Sequence, residues 1–298
     1  MLLQITTFTF VSFISPLLGL MLAIPFTGYI CGLSGKNGFL PTKKELSTKL
    51  TKVIIFHILI LLILFVIGII SLLSAVEIFI AVGLTAVLFN YIIYLNKDYI
   101  LALITAILPG FFYIILKNIL IFDLIKTEVE QANQLFYDSM NSVLSPEMME
   151  TAEQTIKLMQ DVLIQGNPAI WMFSIIAGAT IGALIFSKKS EVFKWNFARV
   201  RMPYQLQFLV ALALILFILQ LRIYSVNLLV ICGFLYLIQG YSLLYFYILP
   251  LLAKNKILAI IILILPIFSY FILITLAFIG LIDNWINMRK FALNKGES

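Results

Sequence analysis

The chain has 298 residues, 62% of them hydrophobic and 11% charged, with a formal net charge of +6. A soluble domain carries about a quarter charged residues and keeps its apolar residues in short or periodic runs, so a soluble globular class is excluded. The Lys and Arg residues sit between apolar blocks, which points to membrane topology or anionic headgroups and away from nucleic acid as a partner.

The apolar blocks are long enough to cross a bilayer core about 30 Å thick, which needs about 20 helical residues. No alternation over about ten residues of the kind a β-barrel requires is visible. The expectation is an all-α polytopic membrane protein with about eight transmembrane helices and an extramembrane amphipathic hairpin. Three regions follow: a four-span half over 1–122, an acidic hairpin over 123–167 and a second four-span half over 168–298. Cys31 and Cys232 lie in apolar stretches without C-x-x-C spacing, so neither a zinc site nor a disulfide framework is expected. No cofactor is implied. No basic n-region precedes the first apolar run, so no cleaved leader is expected.

The first span is expected over about residues 5–33, kinked by Pro16 and Pro25. Ser15, Gly19, Ala23, Thr27 and Cys31 fall every four residues, a small-residue stripe that lets another helix approach closely. That helix could belong to this chain or to a partner in the membrane. A loop with Lys36, Lys43, Lys44, Lys49 and Lys52 follows. The second span, about 53–73, holds His57, the sole histidine, expected near a span end and without a metal role. The third, about 75–95, carries Asn90. The fourth, about 99–122, is expected to break at Pro109-Gly110.

Residues 123–167 hold eight acidic residues and two lysines. Apolar residues keep two helical faces there, and Ser145-Pro146-Glu147 reads as a helix start. Gly166-Asn167-Pro168 is expected to stop that helix and begin the fifth span, about 168–186. This span has a second small stripe at Ser174, Gly178 and Gly182. A basic loop over 187–203 leads to a sixth span, about 204–221. The seventh, about 225–250, and the eighth, about 256–282, complete the count.

The loops after the first, third, fifth and seventh spans hold 13 of the 20 Lys and Arg. By the positive-inside rule they are cytoplasmic and the acidic hairpin lies outside. The same count puts the C-terminal tail, with Arg289, Lys290 and Lys295, outside with the acids.

Amides inside spans cost free energy unless paired. Asn90, Asn227 and Gln239 are therefore candidates for either interhelical hydrogen bonds or ligand contact. Gly233 and Gly240 share a face of the seventh span with Tyr236. Gln239 and Asn227 lie about 120° apart and do not stack. Gly280 is expected to end or bend the last span, and Asp283 to cap a short interfacial helix from Asn284. Asp283 and Arg289 are six residues apart, too far round to meet on one helix face. Their alternative role is to close the mouth of a solute cavity.

Pro168 opening a span, Arg201-Met202-Pro203, Asn227-Leu-Leu, Gln239-Gly240 and Gly280-Leu-Ile-Asp283-Asn-Trp285-Ile-Asn-Met-Arg289-Lys together resemble the YybS-like family of bacterial multi-span membrane proteins. The resemblance covers about residues 168–291 and implies a bacterial inner membrane but no reaction. The first stripe also resembles the docking stripe of the substrate-binding subunits of energy-coupling-factor transporters. No Ser-His or His-E-x-x-H arrangement is present, so an enzyme is not expected. The reading is small-solute binding or transport, with an envelope scaffold acting through helix contacts as the alternative.

Overall fold

The structure is a computed structural model and describes residues 1–35, 40–141 and 146–290. Its ordered elements among the described residues are helical. Five helical runs are long and apolar enough to cross a bilayer: α3 (Lys43–Val66), the run Leu72–Asn96, α6 (Tyr99–Leu120), the Ile164–Lys189 part of α8 (Pro146–Lys189), and α10 (Arg222–Lys254). The pair Lys256–Phe268 and Tyr270–Ile286 makes a sixth if taken as one span. The outer faces of these helices are apolar, with Ile63, Val66, Leu120 and Phe268 exposed. That arrangement suits lipid and would be untenable in water. Among the described residues, five or six runs thus have the length and apolarity of a span, against the eight expected.

The first expected span is two short helices, α1 (Leu2–Ile14) and α2 (Pro16–Cys31). Pro16 has no N–H to continue the ladder and disfavours helical geometry in the residue before it. Ser15 is accordingly extended, at φ −163° and ψ 129°. The chain then folds back. A Cβ on Gly19 would lie 3.0 Å from the Ser12 Cα, whereas a straight helix separates such residues by about 10.5 Å. The last expected span breaks similarly at Ser269, after Pro266, with a bend of 103°. Gly280 does not bend it and lies within α12 (Tyr270–Ile286). The expected sixth span shortens to Tyr204–Ile218, whose α-helical part is α9 (Gln207–Ile218).

Two expected breaks are absent. Pro109 sits inside an unbroken α6, and α8 runs straight through Gly166-Asn167-Pro168. The second part of the acidic segment and the following span are thus one helix. α7 (Phe122–Asn141) packs against it. Ser145, expected as a cap, lies outside the described residues, as do Lys36 and Lys295.

Between α4 (Leu72–Ile78) and α5 (Thr85–Asn96) comes a π-helical turn, Phe79–Leu84. His57 is buried within α3, not placed at a span end, and its Nδ1 lies 2.8 Å from Thr9 Oγ1. A Cβ on Gly83 of the π-turn would come within 2.7 Å of His57 Nε2, so the turn makes room for the ring. Close by, Glu77 and Lys117 form an ion pair that Tyr113 also approaches.

The small stripes are filled by this chain. A Cβ on Gly178 would lie 2.7 Å from Leu17 O, and one on Gly182 2.6 Å from Leu20 O, so α8 rides on the backbone of α2. Ser174, at the head of that stripe, turns its hydroxyl to Ile170 O of its own helix. Ala23, Thr27 and Cys31 are buried as well. Of the two readings of the first stripe, packing within the chain is the one these contacts describe.

One end of the bundle collects the basic loops. Glu191 N–H donates to Ser34 O at 2.8 Å and Ser190 Oγ to Leu33 O at 3.1 Å. Tyr94 donates to Pro41 O and Tyr99 to Phe193 O, both at 2.8 Å. Tyr99 stacks on Trp195 with ring centroids 4.9 Å apart. The loops after α2, α5 and α8 therefore share one end. Gly182→Leu is expected to push α2 off α8 and lower stability in detergent by about 3 kcal/mol, the upper range for overpacking. Gly233→Ala, where no atom lies within 4 Å of the added Cβ, is expected to leave the melting temperature within a degree or two of wild type.

Candidate functional site

The residues singled out in the C-terminal half fall into two polar groups on α10. In the first, Asn227 reaches across to α8. Pro168 lacks an N–H, and its ring disturbs the hydrogen bond that would join Ala169 N–H to Gln165 C=O. Asn227 takes up both loose ends. Ala169 N–H donates to its Oδ1 at 3.0 Å, and its Nδ2 donates to Gln165 O at 2.6 Å and to Ile223 O at 2.9 Å. One side-chain amide thus stands in for a peptide bond. This explains why α8 continues where the sequence predicts a stop.

The second group is built around Asp283, which is 0% exposed. α10 and α12 cross closely, with Tyr236 beside Gly280, Gly240 beside Leu276, Gln239 opposite Asp283 and Tyr247 opposite Met288. Gly240 and Gly280 allow the close approach: a Cβ on Gly280 would sit 2.8 Å from Gly240 N. Gln239 Nε2 then donates to Asp283 Oδ2 at 2.9 Å and to Asn284 Oδ1 at 3.0 Å, while its Oε1 accepts from Met202 N–H at 2.8 Å.

Asp283 and Arg289 do meet, contrary to the spacing argument. α12 ends at Asn287, which is left-handed at φ 52° and ψ 63°. The chain doubles back, and Arg289 Nη1 donates to Asp283 Oδ2 at 2.6 Å. Met288 N–H donates to Asp283 Oδ1 at 2.8 Å, so Asp283 caps the turn after Asn287 and not a helix beginning at Asn284. Arg289, 9% exposed, also donates to Ala198 O and Val200 O at 3.0 Å and to Ser242 Oγ at 2.8 Å. Burial pulls its guanidinium below the usual value, while the Asp283 carboxylate pulls the other way. From the loop, Arg201 donates to Asn284 O at 2.8 Å.

This fastening places Arg289 beside the 187–203 basic loop, whereas the expected count put it at the opposite end from that loop.

Asn90 belongs elsewhere. It is buried between α5 and α2 and donates to Ile24 O at 3.0 Å and Ala86 O at 2.8 Å. Sequence reasoning missed Ser242, Arg201 and Asn284. Asn287 was a readable signal, since Asn commonly ends helices in the left-handed region.

Two atoms beside the second group stay unpaired. Tyr236 Oη lies next to the Asn284 side chain, yet neither it nor Asn284 Nδ2 completes a hydrogen bond of ordinary geometry. Tyr236 also belongs to the wall of a groove of about 400 Å³ between α9, α10 and α12. The remaining lining is apolar, including Cys232, Phe234 and Leu281. Gly233 lies in this wall with open space where a side chain would stand. Among the described residues no cluster suits a metal ion.

No protein-family model, curated protein or solved structure matches this chain.

If Asn227 serves as a surrogate peptide, its cost depends on Pro168. Asn227→Leu is expected to destabilise the protein by about 2 kcal/mol, because it strands two buried backbone groups. In a Pro168→Ala background, which lets α8 close its own ladder, the same change should cost less than about half of that. Thermal unfolding of the four proteins in one detergent measures the coupling.

Proposed function

We propose that this is a non-enzymatic protein of the bacterial inner membrane that binds a small amphiphilic solute admitted from the bilayer, alone or as the binding subunit of a transporter. The groove over Gly233 carries this reading. It is apolar along its length, with Tyr236 as the one residue in its wall that carries a hydroxyl. The pairing of Gln239, Asp283 and Arg289 with groups of the same chain leaves those residues as the frame of the site, while Asn227, also paired, lines the hollow between α8 and α10. The scaffold alternative loses support because the glycine stripes are occupied from within.

Gly233→Phe fills the groove without touching the fold. Losing contact with two ligand methylenes, at about 0.8 kcal/mol each, lowers affinity by more than tenfold. Mass spectrometry of small molecules extracted from the gently purified protein should show a bound amphiphile in wild type and little in Gly233→Phe. An empty wild-type protein overturns the reading.

The end with the basic loops is cytoplasmic in this proposal, in keeping with the positive-inside rule. A membrane-impermeant maleimide on intact cells should label Lys126→Cys but reach Lys97→Cys only after permeabilisation. The opposite pattern reverses the orientation.

A further inference from the structure

The groove does not end at Phe234. A second lobe of about 480 Å³ lies between α8 and α10, and Val230 and Phe234 line both lobes. Phe234 packs against Phe173 of α8 with tilted rings, centroids 4.5 Å apart, and with Val230 forms the shoulder that the two adjoining lobes share. Along α10 the combined groove runs from Arg222 to Leu237. At 1.5 Å per residue that is about 22 Å. Half of a bilayer's hydrocarbon core is about 15 Å deep, and the headgroup layer adds several Å. The groove therefore has the length of one leaflet, with Arg222 at the headgroup end.

Arg222 stands out by position. It lies at the end of α10 remote from the Asp283 group and the basic loops, on the same end as Gln165 and the acidic segment that precedes it. The positive-inside rule disfavours a cation there. Its side chain is exposed, and no ion pair is formed by it among the described residues. An arginine at a membrane surface, above an apolar channel one leaflet deep, is suited to a phosphate headgroup through paired N–H donors.

Resting on the reading of the groove as a ligand site, the geometry points to an anionic phospholipid as its occupant, with the headgroup phosphate on Arg222 and an acyl chain laid past Val230 over Gly233. The ligand's chain fills the apolar lobes and its charge selects the end at which it enters. A neutral amphiphile would leave Arg222 without a role, and a free anion would leave the lobes empty.

Native mass spectrometry of the full chain, titrated with phosphatidylglycerol or phosphatidylcholine, tests this. Wild type should hold phosphatidylglycerol about fivefold more tightly, the effect of one basic residue at a membrane surface. Arg222→Gln should erase that preference while still binding both lipids, and Gly233→Phe should weaken both. Equal binding of the two lipids by wild type, with Gly233→Phe still weakening both, overturns the anionic assignment and keeps the groove. Equal binding of both lipids by wild type and Gly233→Phe overturns the groove itself. A phosphatidylglycerol preference that survives in Arg222→Gln overturns the role of Arg222. Phe at position 233 meets no atom within 4 Å at its Cβ, and residue 222 is exposed, so both variants are expected to fold.

Discussion

A backbone group released from its helix has no water to turn to inside a bilayer, and this chain is arranged around that constraint. At several places among the described residues where backbone is freed inside the bundle, a side chain from another element answers it. Asn227 closes the gap that Pro168 makes in α8. Asn90 covers Ile24 O on α2. Arg289 and Ser242 take the carbonyls of the 197–200 turn, where the backbone is not regular helix. The rare uncharged polar residues of the spans are thus concentrated where backbone is exposed to oil, which is why so few of them remain to line a polar cavity.

The same constraint explains the glycines. Apolar helices gain no hydrophobic driving force from meeting one another in lipid, so they associate through close packing. α8 lies on α2 through Gly178 and Gly182, and α10 crosses α12 through Gly240 and Gly280. Only the second crossing brings polar groups with it. Gln239 and Asp283 meet beside that crossing, and Arg289, past Asn287, lands on the basic loop. Gly233, one helical repeat from Gly240, has no such partner and opens a groove instead.

Much of the class was legible in the sequence. Block length and low charge identify membrane helices, and two caps that were not expected follow equally local rules. Thr42 and Glu45 form a capping box, and Asp98 caps α6 through Ile100 and Leu101 N–H. Breaks were not legible, because a proline's effect is set by its neighbours. Pro16 breaks its helix, whereas Pro109 and Pro168 do not, and only the structure reveals Asn227 beside Pro168. The Asp283–Arg289 pair was hidden for a related reason. Spacing rules hold along one helix, and the left-handed Asn287 places the two residues on different turns. The Gly280, Asp283, Trp285 and Arg289 pattern nonetheless marks residues with definite tasks. Gly280 admits α10, Trp285 Nε1 donates to Gln207 Oε1 at 2.9 Å, and the other two form the ion pair.

That ion pair is better understood as a device for specificity than as a source of stability. Taking two charges out of water costs several kcal/mol per ion, and apolar replacements of such pairs are often neutral or stabilising. Breaking one partner, in contrast, costs about 3–5 kcal/mol, because a bare charge stays buried. The asymmetry penalises every arrangement in which Arg289 is elsewhere. Here the guanidinium has four acceptors, Ala198 O, Val200 O, Ser242 Oγ and Asp283 Oδ2, on three separate parts of the chain. Asp283 has donors from Gln239, Met288 and Arg289. A hydrophobic patch of the same size would tolerate sliding by a residue or a turn, since lipid-facing and protein-facing surfaces here are equally apolar. In a bundle where oil-like surfaces meet everywhere, a fully bonded charge pair is the feature that distinguishes one register from its neighbours. It therefore holds α12 and the turn through Arg289 at one level beside the groove.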